Sequence, residues 1–254
     1  MSWNPSVYLA FSDHRLRPAV DLLQRIPCDS PRTIIDLGCG PGNVTRLLAL
    51  RWPNAQITGA DSSPEMLARA RHDVPEITWQ HADIATWHAE APVDLLFSNA
   101  ALHWVDDHAR LLPHLAAQLA PGGMMAVQMP RNHHAPSHRL IDALARSARW
   151  AERLVPVLRP FPVAAPEDYW QWLRPHLATL DLWETVYYHP LTGSDPVLHW
   201  VTGTTLRPLL AVLSAEEQAA FLADLGAQLR DAYPPQPDGV TLLPFRRLFL
   251  VGQR

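Results

Sequence analysis

Apolar and polar positions fall into two rhythms along this chain, and the switches between them predict its elements. Ile34, Ile35 and Leu37 make a short apolar run that suits a buried strand. Asn43 then opens an amphipathic segment to Trp52, with Val44, Leu47 and Leu48 at i, i+3 and i+4 and Pro53 as the stop. Gln56–Ala60 predicts a second strand ending at Asp61. Ser62-x-x-Glu65 predicts a capping box with Pro64 in the first turn of a helix to about Arg71. Ile77–Gln80 predicts a third strand, and the almost wholly apolar Val93–Ser98 a central parallel fourth. Asp106 or Asp107 caps a helix expected through Leu119, and Pro121-Gly122-Gly123 turns into a fifth strand at Met124–Met129.

Beyond that strand the pattern changes. Residues 131–166 are rich in His, Arg and Pro, with one helical stretch around Leu140–Trp150. A helix near Glu167–Leu173 leads to a sixth strand at Leu182–Tyr188. Helical segments follow from Ser194 to Ala232, the loop Pro234–Gly239, and a last strand at Thr241–Gly252. Strands alternating with helices predict an α/β fold with a doubly wound sheet of seven strands. The expectation is a single domain over residues 1–254, with helical lid insertions at about 131–166 and 190–240, after the fifth and sixth strands.

The most informative local pattern is Asp36-Leu-Gly-Cys-Gly-Pro-Gly42, where a strand meets a helix through three glycines at alternate positions. Strand, glycine turn and helix N-terminus make the nucleotide-binding corner of a doubly wound sheet. A dinucleotide fingerprint wants G-x-G-x-x-G, but counting from Gly38 its last position falls on Asn43. Asp36 would also repel a pyrophosphate and suits a ligand that carries an ammonium group. Asp61 stands nineteen positions after Gly42, where a carboxylate accepts from two vicinal ribose hydroxyls.

Asp-Leu-Gly-Cys-Gly-Pro-Gly resembles the first motif of the class I methyltransferases, whose fold is Rossmann-like and whose cofactor is S-adenosyl-L-methionine. The resemblance implies that Asp36 lies near the methionyl amine and that Gly38, Gly40 and Gly42 pass the methionine portion. It places Asp61 and Ser62 by the ribose, and Asp83 and Ile84 by the adenine. Met66, one turn into its helix, either covers the adenine face or fills the core. Asn99 arrives at the carboxyl edge of the sheet, where ligands of open α/β sheets bind. Family members acting on adenine or glutamine nitrogens carry Asn-Pro-Pro-aromatic there. Asn99-Ala-Ala-Leu argues against those substrates. His103 remains open as a general base, a substrate hydrogen bonder or a structural histidine.

Composition narrows the class. The chain has 254 residues, two cysteines without a C-x-x-C, and a net charge of −4, so neither a metal site nor a general nucleic-acid footprint is expected. No apolar run approaches a membrane span, and the opening residues lack a secretion pattern, so the expected location is the cytoplasm. All 21 Lys+Arg residues are Arg, which removes lysine Schiff-base and lysine general-base chemistry.

Trp3-Asn-Pro-Ser-x-Tyr8, Arg15-x-Arg17-Pro-Ala-Val20, Gln128-Met-Pro130, Tyr187-Tyr-His189, Trp200-Val-Thr-Gly203, Leu206-Arg-Pro208 and Arg247-Leu-Phe249 resemble the trans-aconitate methyltransferase family. Arg131-Asn-His-His134 and the Trp150–Pro166 stretch depart from it. The resemblance implies a carboxyl O-methyltransferase making a monomethyl ester, with a small polycarboxylate as its partner. With the charge and the absence of a long apolar run, no membrane or nucleic-acid partner is expected, and the expected assembly is a monomer or small homo-oligomer. Methylation of another small acid, carbon methylation, and a non-catalytic cofactor-binding regulator stand as alternatives. A substrate with three carboxylates calls for cations, because the arginine fork matches a carboxylate. The candidates are Arg207, Arg246 and Arg17, with Tyr188, His189 and His103 as hydrogen-bond donors.

Overall fold

The computed structural model describes residues 16–254. The Trp3–Tyr8 motif and Arg15 lie outside the described residues. Seven strands form one sheet in the order β3-β2-β1-β4-β5-β7-β6. They are β1 (Thr33–Leu37), β2 (Gln56–Asp61), β3 (Thr78–His81), β4 (Val93–Asn99), β5 (Leu119–Pro130), β6 (Thr179–Leu191) and β7 (Thr241–Gln253). The first five pair in parallel, while β7 runs antiparallel to β5, from Met124 opposite Gln253 to Pro130 opposite Arg247. The strand order reverses at β1, which has β2 on one side and β4 on the other. This is the switch point where a doubly wound sheet opens a crevice at its carboxyl edge.

The described residues divide into two compact units. One comprises the described residues to Pro130, Pro162–Thr185 and Arg247–Arg254; the other comprises Arg131–Phe161 and Val186–Arg246. Each buries its own apolar core, which is why they separate. In the first unit Leu96 of β4, Met125 and Val127 of β5 and Leu248 and Leu250 of β7 pack into one cluster. The helices α1 (Arg17–Gln24), α2 (Asn43–Arg51), α3 (Pro64–Asp73), α4 (His108–Ala117) and α7 (Pro166–Leu173) belong to this unit, as does a 3₁₀ turn at Leu102–Trp104.

The second unit holds α5 (Pro136–Ala145), α6 (Ala151–Leu154), α8 (Pro196–Thr202), α9 (Arg207–Leu210) and α10 (Ala215–Ala232). Helix α10 starts at a capping box. Glu217 N–H donates to Ser214 Oγ at 3.2 Å, and Ser214 N–H donates to Glu217 Oε2 at 2.8 Å. Its Phe221, Leu225 and Leu229 face Ile141, Trp150, Val197 and Val201, with the Trp150 ring edge-on to Phe221 at 5.4 Å.

Several boundaries differ from expectation for local reasons. Ser63, not Ser62, caps α3: its Oγ accepts from Met66 N–H at 3.3 Å, because Pro64 occupies the first helical turn. Helix α4 ends at Ala117, and Leu119 already belongs to β5. Leu119 pairs with Val93 and Met124 with Leu95, so Pro121-Gly122-Gly123 is a bulge inside the strand instead of a turn before it. The helix expected to Trp150 breaks after Ala145. Helix α1, which the pattern did not announce, buries Pro18, Ala19, Leu22 and Leu23. Arg51 of α2 clamps its end by donating to the carbonyls of Leu23 and Ile26.

Candidate active site at the carboxyl edge of the sheet

The glycine turn after β1 is fastened to β2, since Gly38 N–H and Cys39 N–H both donate to Ala60 O, at 2.8 and 3.1 Å. Gly38, Gly40 and Gly42 all take left-handed φ values of 74°, 56° and 83°, which disfavour any side chain. Their reasons differ. A Cβ on Gly38 would lie 2.1 Å from the Ala101 Cβ after β4, and one on Gly42 2.6 Å from the Trp79 ring. Gly40 alone of the three faces open space, with nothing within 4 Å of that position. Gly42 precedes α2 without a side-chain cap. Cys39 is buried, and burial pushes its thiol well above the ordinary range, so it fills space and is no nucleophile.

The two acids of the turn behave differently. Asp36 is 1% exposed, and its Oδ2 accepts the Thr45 hydroxyl of α2 at 2.6 Å. Burial lifts its carboxyl to about 7, opposed by the Thr45 bond and reinforced by the charge of Asp61. Asp61 at the end of β2 accepts from Gly40 N–H through Oδ2 and from Ser63 N–H through Oδ1, both at 2.8 Å. It therefore braces the open part of the turn. A carboxylate has about four lone-pair sites, so two remain for a ligand's hydroxyls. Ser62 is exposed, and its carbonyl accepts from His81 Nε2 at 3.0 Å. Met66 is 41% exposed, which removes it from the core.

Asp83 stands in the loop after β3, where its Oδ1 accepts from Ala85 N–H at 2.9 Å in an Asx-type turn. The next residue, Ile84, reaches the glycine turn: its Cδ1 lies 3.3 Å from the Cβ position of Gly38. Asn99 ends β4, followed by Ala100 at φ 53°, a sparsely populated conformation for alanine. This kink sends Ala101 against Gly38 and starts the 3₁₀ turn that carries His103.

A polar group sequence reasoning did not assemble lies beside it. Asn99 on β4 is register partner to Gln128 on β5, and Pro130 is partner to Arg247 on β7. Gln128 is 0% exposed and Arg247 9%, and Arg247 Nη1 donates to Gln128 Oε1 at 3.3 Å. Asn99 Oδ1, His103 Nδ1 and Gln128 Nε2 are buried with no hydrogen-bond partner among the described residues. Burial, then the Arg247 charge and then His108, pull His103 down to about 4, so its imidazole is neutral at physiological pH. His108 fixes the turn beneath it. Its Nε2 donates to Leu102 O at 2.9 Å, and its Nδ1 accepts from the Tyr169 hydroxyl at 2.6 Å. Gln128 carried a readable signal, as the lone polar side chain of an otherwise apolar strand.

The remaining candidates are divided between the two units. Arg17 is exposed on the first turn of α1. In the second unit, Arg207 is exposed at the start of α9, and Tyr188 is 61% exposed. His189 is buried, its ring stacked on Trp200 at 4.9 Å with Phe245 edge-on. Arg246 lines a cavity of about 360 Å³ with Arg131, Asn132, His134 and Arg139, so the basic tract after β5 converges with β7 within that unit. No helix among the described residues is long and apolar enough to cross a membrane, and none of their side chains cluster as a metal site.

Comparison with known proteins meets this geometry. A family model described as a methyltransferase domain matches residues 34–123, which span the glycine turn to the start of β5. Trans-aconitate 2-methyltransferase of Methylobacterium nodulans is 50% identical over 99% of this chain and 98% of its own length. The enzyme of the same name from Azoarcus sp. is 47% identical over 100% of this chain and 99% of its own. Among solved structures, the YcgJ protein from Bacillus subtilis superposes with a TM-score of 0.62 at 13% identity, covering 94% of this chain and 98% of that one. Haemonchus contortus phosphoethanolamine N-methyltransferase 2, in complex with S-adenosyl-L-methionine, gives 0.58 at 15% identity, covering 98% of this chain and 56% of that one. Those two share the fold. Identity near one half over the full length goes further, and this chain belongs to the trans-aconitate 2-methyltransferase family.

Proposed function

We propose that this protein transfers a methyl group from S-adenosyl-L-methionine to one carboxylate of trans-aconitate, giving a monomethyl ester. Full-length kinship with enzymes of that name supports the substrate, and the state of His103 supports the chemistry. A carbon acceptor must lose a proton, which calls for a base matched to neutral pH. His103, held near 4, is a poor one. A carboxylic acid with a pKa near 4 is already ionised at neutral pH and needs no base.

The residues of the glycine turn fit the cofactor. Gly40 opens onto free space and Asp61 keeps lone pairs for ribose hydroxyls, which supports this reading, and exposed Met66 and Asp83 with Ile84 are the candidates for the adenine. Asn99, its Oδ1 unsatisfied, offers an acceptor at the carboxyl edge. Asp36 acts on a ligand ammonium through the field of a covered carboxylate. When bound, S-adenosyl-L-methionine supplies a methyl group on a sulfonium, open to in-line displacement by an oxygen. The protein contributes position, and holding reactants in line is worth roughly 7–11 kcal/mol.

Exposed Arg207, Arg17, Arg246 and Tyr188 are the surface candidates for the acid, and Arg246 has the basic cavity beside it. Net charge of −4 favours a small-molecule role over nucleic acid, in the cytoplasm, as a monomer or small homo-oligomer. The test is whether methyl label passes from S-adenosyl-L-methionine to trans-aconitate as an alkali-labile ester.

A further inference from the structure

We propose that the basic cavity of the second unit is a binding site for a small polycarboxylate. Its charged ends meet Arg131, Arg139 and Arg246, and its carbon chain lies on Val186 and Pro244. The fold brings these three arginines together from separate segments. Arg131 N–H donates to Arg246 O at 2.9 Å, one step beyond the last pair of β5 and β7. Side chains at opposite positions of an antiparallel pair share a face, and both residues line the cavity. Arg139, exposed in α5, lines it as well and forms no ion pair among the described residues. No Asp or Glu lines the cavity among the described residues. Elsewhere in the same unit Arg146, Arg149, Arg153 and Arg230 each stand in an ion pair with a carboxylate.

The wall is also built to offer hydrogen. Asn132 lines the cavity at 8% exposure, and its Oδ1 accepts from Arg246 N–H at 3.3 Å. That bond occupies the oxygen, and the two Nδ2 hydrogens remain for a ligand. The Asn132 carbonyl accepts from Ala135 N–H at 2.9 Å, which sets the turn into α5 and puts the positive end of that helix on the wall at Pro136. Ser137 N–H is taken by the Tyr233 hydroxyl at 3.0 Å, so the helix adds field there and no contact. Arg131 and Arg246 make other contacts too, and a guanidinium with five N–H donors can serve a ligand besides. An arginine fork matches a carboxylate or a phosphate. Three guanidiniums from three segments, in a lining that includes Val186 and Pro244, suit anionic groups spread over a carbon skeleton and not one compact ion. About 360 Å³ is room for a small organic acid. That acid is either the methyl acceptor or a second acid bound in its own right. The chemistry is the same, and one measurement separates the two.

Calorimetry titrates trans-aconitate, citrate and inorganic phosphate into the full chain in excess S-adenosylhomocysteine, so that no methyl group moves. At least one of the acids is expected to bind about tenfold or more tighter than phosphate. Arg139→Gln weakens that binding about tenfold, and Arg139→Lys restores most of it. Arg146→Gln removes the same charge from the other end of α5 and leaves the affinity within about twofold. Arg131→Gln combined with Arg246→Gln weakens binding about a hundredfold, and exposed Arg139 carries the test if that double variant fails to fold. For the acceptor, Arg139→Gln raises KM for trans-aconitate by the same factor as Kd, with kcat within about twofold. For a second acid, Kd shifts while KM for trans-aconitate stays within about twofold. Binding of neither acid, phosphate binding as tightly as both, or equal effects of Arg139→Gln and Arg146→Gln overturn the proposal. Carboxyl methylation is tested apart from all of these, by the alkali-labile ester.

Discussion

The hydroxyl of Thr45 donates to the carboxylate of Asp36 across 2.6 Å, with both side chains almost completely buried. This bond joins the first turn of α2 to β1 under the glycine turn, and it has a pH signature. Burial sets the folded-state pKa of Asp36 at about 7, above the ordinary 3.8. The folded protein therefore binds a proton that the unfolded chain has released between about pH 4 and 7. The stability this proton contributes is complete below the unfolded value and is lost as pH rises through about 7. Asp36→Asn removes that slope. Urea unfolding at pH 5 and pH 8 should show the parent losing more stability between the two than the variant. Equal losses would contradict the placement of an ionisable Asp36 in the core.

Asp61 braces Gly40 and Ser63 and faces the open part of the same turn. Asp61→Ala should weaken S-adenosylhomocysteine binding by about 1.5–3 kcal/mol, the usual worth of hydrogen bonds to a charged group, or roughly ten- to a hundredfold. Isothermal calorimetry measures it. Unchanged affinity in a folded variant would remove Asp61 from the cofactor site, and binding of NAD in its place would remove the cofactor assignment.

Much of this corner was legible because short-range chemistry dictates it. Glycines at alternate positions between an apolar strand and an amphipathic helix leave few folds open, and all seven strands were expected in their chain order. What stayed hidden depended on contacts distant in sequence. The packing of Ala101 against Gly38 and of Trp79 against Gly42 was such a contact, and so was the open space at Gly40, alone of the three. Bulged β5 hid its start because proline and two glycines imitate a turn. Arg207 drew attention as a motif cation, although it is exposed on a four-residue helix. The buried cation is Arg247, brought beside Gln128 by an antiparallel pairing 119 residues apart in sequence. The packing of His189 against Trp200 and Phe245 was hidden for the same reason.

His103 should prove useful for contact but not as a base. With its imidazole held near 4, it is already neutral across the usual assay range. The dependence of kcat on pH should then show no essential group titrating near neutrality. His103→Asn keeps hydrogen bonding and loses basicity, and it should retain kcat within about tenfold. A loss of about a thousandfold or more, with folding and S-adenosylhomocysteine binding intact, would point to proton abstraction and a carbon acceptor.

The central claim is that an already ionised carboxylate takes the methyl group, and the product itself reports on it. Purified protein is incubated with methyl-labelled S-adenosyl-L-methionine and trans-aconitate, and the acid fraction is then treated with mild alkali. The account predicts one methyl group per acid, all of it released as labelled methanol, because an ester is cleaved by hydroxide. Label that stays with the acid after alkali would mean a carbon–methyl bond and would contradict the account.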